Sequence, residues 1–182
     1  MIKKRIIVSL FVVFIISVSS KVSIAQSVMV DSVDQIVFDT IIKQEILYGY
    51  CSPDIRWSPV FIEEYENSLE CFSISADTLY KFKDTISKFD ITIVFGSWCS
   101  DSQREVPRFI EILWAMDYPM DKLTIIALNR NKLVNEIDIS QMDIKYVPTF
   151  IFKRDNIEIG RIIESPKISL IEDIKVIIKN NI

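Results

Sequence analysis

A short apolar run, Ile91 to Phe95, passes through Gly96-Ser97-Trp98-Cys99 into a helical pattern spanning Ser100 to Met116. No other stretch constrains the fold as strongly. Five residues with almost no polar side chain suit a strand buried on both faces, as in sheets covered by helices. The segment that follows carries Val106, Phe109, Ile110, Leu113 and Met116 at helical spacing, an apolar face for packing on such a sheet. Pro107 lies inside it, so a kink is expected there. Leu123 to Leu128 reads as the next buried strand.

Downstream, Thr149 to Phe152 and Ile157 to Ile163 read as strands joined through Lys153-Arg154-Asp155-Asn156, a turn-rich link that makes an antiparallel hairpin. A last helix is expected to start at Ser165 as N-cap with Pro166 at its first position. Its stripe would be Leu170, Ile171, Ile174, Ile177 and Ile178. Upstream, residues 36–50 are rich in β-branched and aromatic residues and predict one or two strands. Two helices are expected after them, one over 59–69 and one capped by Asp77 and bearing Leu79, Phe82 and Ile86. The fold class is therefore α/β, with a central mixed sheet, flanking helices and an N-terminal extension.

Of the 182 residues, none is histidine. Ser-His-Asp triads, Cys-His dyads and imidazole metal sites are excluded, and acid–base work falls to carboxylates, Lys, Tyr or Cys. The N-terminus has the pattern of an export signal: Lys3, Lys4 and Arg5, then an apolar run from Ile6 to Val18, then Ser23-Ile24-Ala25 as a small-x-small cleavage site. That run is shorter than the roughly 20 residues a membrane span requires. The expected organisation is a signal peptide at 1–25, an extension at 26–88 packed on the core, and a core at 89–182, in a protein that is exported, periplasmic or secreted.

Cleavage would remove four of the 21 Lys and Arg and none of the 25 Asp and Glu, leaving a formal charge of −8. An acidic chain with no basic stripe is a poor partner for nucleic acid, and after cleavage no stable membrane anchor remains. No metal ligand set and no phosphate-binding glycine pattern is present, so no cofactor is implied. Outside the cytoplasm disulfides persist, yet Cys51, Cys71 and Cys99 are odd in number. Cys51 and Cys71 are the candidates for a structural bridge, which would close a loop of about 20 residues and stabilise by about 3 kcal/mol; a resolving role is the alternative. Trp57 and Trp114 are read as packing residues.

Cys99 is the candidate nucleophile. Unpaired backbone N–H groups and the dipole at a helix start favour a thiolate. Asp101 would oppose that ionisation and Arg104 would support it, while Ser102 could hydrogen-bond the thiolate and stabilise it.

These residues resemble the thioredoxin fold, in the form of exported bacterial proteins that carry W-C-x-D-S where W-C-x-x-C is usual. Trp98-Cys99 follows a buried strand, Pro107 lies eight residues after the cysteine, and Val147-Pro148-Thr149 opens the hairpin. The resemblance, over residues 91–180, implies that Pro148 is cis and faces the sulfur, that the Val147 backbone pairs with a substrate peptide, and that Trp98 covers the site. Two departures limit what it implies. Ser102 stands where the second cysteine would be, and Ile93 stands where many members hold a buried acid. What remains is monothiol exchange with protein or small-molecule thiols and disulfides: Cys99 attacks, a mixed disulfide forms, and a second thiol releases it. The alternative is a redox-inactive module of the same fold used for binding or folding assistance.

Overall fold

The computed structural model describes residues 33–60, 63, 66, 82–135 and 137–181. The expected signal peptide, Cys71 and most of the two helices expected between 59 and 86 lie outside the described residues. Within them, a two-stranded antiparallel sheet is formed by β1 (Ile36–Asp39) and β2 (Gln44–Leu47). A five-stranded sheet comprises β3 (Gly49–Cys51), β4 (Asp90–Phe95), β5 (Leu123–Ala127), β6 (Thr149–Arg154) and β7 (Ile157–Ile163), in the order β3-β5-β4-β6-β7. Helices α1 (Lys83–Ile86), α2 (Ser100–Ala115) and α3 (Leu170–Lys179) accompany it.

β4 is parallel to β5 and antiparallel to β6, so the sheet is mixed. All of its residues from Ile91 to Phe95 are buried, as a central strand covered on both faces requires. Alternation along the strands then divides the interior in two. Ile91, Ile93 and Phe95 join Ile125, Phe150 and Phe152 on the side of α2 and α3, where Phe109 of α2 stacks on Phe150 with ring centroids 4.3 Å apart. Val94, Ile126, Leu128 and Val147 form a second cluster on the opposite face. The connection over residues 128–148, which holds no α-helix among the described residues, covers that face through Val134, Ile137, Ile139, Met142 and Ile144.

The structure departs from the sequence reading at several boundaries. Residues 36–50 contain β1, β2 and the start of β3, because the chain turns at Lys43 and Gly49, both at positive φ, 55° and 90°. Glycine reaches such a conformation without strain. The β6–β7 link shrinks to Asp155-Asn156, both left-handed at φ 52° and 63°, the pattern of a type I′ hairpin turn that these residues tolerate. α2 extends on both sides of Pro107, which lies inside it as expected.

The last helix does not begin at Ser165-Pro166. Ser169 is its N-cap, accepting from Glu172 N, while the Asp173 carboxylate reaches back to accept from Lys167 N (2.7 Å) and Ile168 N (3.2 Å). Those two bonds hold residues 167–168 as a turn before the helix. Trp114, on α2, is 38% exposed.

Candidate functional site

Cys99 is the N-cap of α2, with φ −99° and ψ 124°, and its side chain makes no capping bond. The extended backbone there ends the turn that follows β4, closed by Cys99 N donating to Gly96 O at 2.9 Å. The sulfur is half-buried. It lies 3.3 Å from the carbonyl oxygen of Val147, to which the thiol donates, and the Val147–Pro148 peptide bond is cis. Two segments 48 residues apart are thus brought together at the ends of the neighbouring strands β4 and β6.

Trp98 lies against the glycine that precedes it by two positions. A Cβ on Gly96 would sit 2.5 Å from the indole, so only glycine leaves the ring its seat. The indole N–H donates to Leu128 O at 2.9 Å, and the Arg130 guanidinium stacks over the ring at 5.6 Å. Gly96→Ala is expected to push the ring off this seat and cost about 1–3 kcal/mol as overpacking. A lowered urea midpoint with an unchanged slope would show it.

Ser97 ties the extension to this loop. Its buried hydroxyl accepts from Leu47 N of β2 at 2.9 Å, and its carbonyl accepts from Gln103 Nε2 at 2.8 Å. Neither bond is visible in the pattern of residues.

Ser102 is fully buried, and its Oγ accepts from Gly96 N at 3.3 Å. The structure places its bond on the turn below the sulfur rather than on the sulfur. Asp101 and Arg104 pair with each other at 2.6 Å. Arg104 also donates to Glu105 at 2.7 Å and to Ser165 Oγ at 2.8 Å, and the bond to Glu105 above all holds the guanidinium charged. The two proposed modulators of Cys99 therefore largely neutralise each other. Glu105, buried within α2, completes this ion-pair group and was not among the expected site residues. The spacing Asp101-Arg104-Glu105-Arg108 is the signal that would have found it.

Cys51 sits in β3, buried, opposite Ile125, which is in turn opposite Ile93. Burial, together with the charge of Asp34, pushes its thiol well up. It belongs to the cluster under α2, whereas Cys99 packs on the cluster across the sheet. The sheet therefore separates the two sulfurs, which leaves Cys51 badly placed as a resolving thiol. Cys71, its proposed bridge partner, lies outside the described residues.

No protein-family model matches the chain, and no curated protein matches it in sequence. Solved structures do resemble it. A protein of unknown function from Pseudomonas aeruginosa is 11% identical, with 68% of this chain and 84% of that one covered and a TM-score of 0.48. Thioredoxin from Aeropyrum pernix is 17% identical over 58% of this chain and 86% of its own, TM-score 0.38. Mitochondrial thioredoxin 3 from Saccharomyces cerevisiae is 17% identical over 56% and 89%, TM-score 0.36. The fold is thioredoxin-like. What fixes it is the topology: parallel β4 and β5 joined through α2, the β6–β7 hairpin along the other side of β4, and a helix after β7. In this thioredoxin-like frame the extension adds β3 as an edge strand of the main sheet, and β1 with β2 as a separate ribbon.

Proposed function

We propose that this chain is an exported thiol–disulfide exchange protein that works through a single thiol, Cys99. The observation that carries the reading is the half-buried sulfur at the start of α2, 3.3 Å from the carbonyl of the residue preceding Pro148. In the first step the Cys99 thiolate attacks one sulfur of a substrate disulfide. The substrate S–S bond breaks, a Cys99–substrate disulfide forms, and the other substrate sulfur leaves as a thiolate. In the second, a thiol from the substrate itself or from a small-molecule pool attacks the mixed disulfide and restores Cys99. Attack by the substrate's own thiol isomerises its disulfides; attack by a pool thiol passes the substrate sulfur to that thiol as a new mixed disulfide, and a second pool thiol then frees the substrate, so that net reduction consumes two pool thiols, which leave as their disulfide.

Trp98 would cover the sulfur on one side, and Val147 with Pro148 would form the wall that faces the substrate. Ser102 would serve the sulfur indirectly, by holding Gly96 and thus the turn on which Cys99 sits. Export places the protein where substrate disulfides persist.

Selective alkylation tests the nucleophile. In the folded protein Cys99 is expected to react with iodoacetamide at least about tenfold faster than buried Cys51, whose thiol is pushed up. Peptide mass mapping after timed quenching measures both. Equal labelling of the two would contradict the reading.

A further inference from the structure

A cleft of about 340 Å³ opens between the β1–β2 ribbon and the loop after β5, and Arg130 on its lining reaches over the Trp98 ring. Phe38, Ile41, Ile46 and Tyr48 line it from the ribbon, and Asn129 and Arg130 from the loop. Phe38 is 60% and Ile41 72% exposed, an unusual display for large apolar side chains. Arg130 is exposed, stacked on the indole of the residue that precedes Cys99, and in no ion pair among the described residues. Asp39 shares the cleft, but its carboxylate accepts from Ile41 N (2.8 Å) and Ile42 N (3.3 Å) in its own turn.

We propose that this cleft selects the substrate of Cys99: a polypeptide disulfide with an acidic residue next to the cysteine and an apolar side chain one or two residues away. The inference rests on Cys99 being the attacking thiol. An uncommitted guanidinium stacked on the residue that precedes the reacting cysteine recognises a carboxylate by a charge-assisted, bidentate bond. The apolar rim covers a substrate side chain, because burying Phe38 and Ile41 against it removes both from water. In a chain whose acids outnumber its bases, a cation at this position favours acidic neighbours where the rest of the surface repels them.

The test uses the full chain with two peptides, Ac-Phe-Cys-Glu-NH2 and Ac-Phe-Cys-Lys-NH2, each carrying 2-thiopyridine on its cysteine as a mixed disulfide. Attack of Cys99 on the peptide sulfur forms the Cys99–peptide disulfide and releases pyridine-2-thione, whose absorbance gives the rate. The acidic peptide is expected to react about fivefold faster at low salt, and the ratio is expected to shrink as salt screens the charge. Arg130→Gln is expected to bring the two rates together, and Arg130→Glu to favour the lysine peptide. Each peptide rate is divided by the same protein's rate with neutral 2,2′-dithiodipyridine, so that any change in the general reactivity of Cys99 cancels and only the acidic-to-basic preference is read. Equal rates in the unmodified protein, or a preference that survives both substitutions, would overturn the cleft while leaving Cys99 as the nucleophile. No reaction of Cys99 even with dithiodipyridine would overturn the exchange reading itself.

Discussion

Cys99→Ser is expected to abolish every covalent adduct between this chain and disulfide-bearing proteins, and Ser102→Cys is expected to drain the same adducts by a different route. A hydroxyl cannot form a mixed disulfide, so the first loss is complete. In the unmodified protein nothing in the W-C-x-D-S motif can attack the Cys99 adduct, and Cys51 lies beyond the sheet. Adducts should therefore accumulate under mildly oxidising conditions. Ser102 sits three residues along the first turn of α2, a spacing that brings side chains within about 5–6 Å, and a modest shift closes that to disulfide distance. A thiol introduced there attacks Cys99, frees the client and leaves an intramolecular disulfide. Non-reducing gels of the three proteins after incubation with scrambled ribonuclease would separate the cases: bands at adduct mass for the unmodified chain alone. Adducts that persist in the Cys99→Ser protein would place the chemistry elsewhere, and a redox-inactive module would give no adduct in any of the three.

The second large effect concerns stability. Phe109 is fully buried, stacks on Phe150 at an interplanar angle of 22° and meets Phe152 edge-on at 5.9 Å between centroids. It joins the helix that carries Cys99 to the strand that follows Pro148. Phe109→Ala removes the transfer energy of the ring and leaves a cavity in a layer that cannot collapse freely, at about 3–5 kcal/mol. Whole domains are stable by only about 5–15 kcal/mol, so the melting temperature should fall by about 10 °C or more. Ile157, 70% exposed at the β6–β7 hairpin, is the control, since its replacement by alanine should stay within about 0.5 kcal/mol. Thermal unfolding followed by circular dichroism measures both.

The core of this fold is readable residue by residue because its signals are local. Ile91 to Phe95 and Leu123 to Leu128 are apolar runs of strand length, and α2 shows its buried face through Val106, Phe109, Ile110 and Leu113. Where the deciding partner is remote, the reading slips. The start of α3 moves from Ser165 to Ser169 because Asp173 closes the preceding turn, while Ser165 instead receives Arg104 from α2. Ser102 looks like a partner for the sulfur in one dimension, and in three it holds Gly96. Arg130 and the carbonyl of Leu128 gain their roles only through Trp98 folding over the loop after β5. No motif in the sequence marks either of them.

The three residues of β3 have a consequence for anyone trimming this chain. They pair with Gly49 opposite Ala127 and Cys51 opposite Ile125, along the outer flank of β5. A shortened version begun near residue 89 would bare that flank, and a naked row of amide donors and acceptors on an apolar strand recruits other molecules. Such a fragment should precipitate or form fibrils where the longer protein stays dispersed.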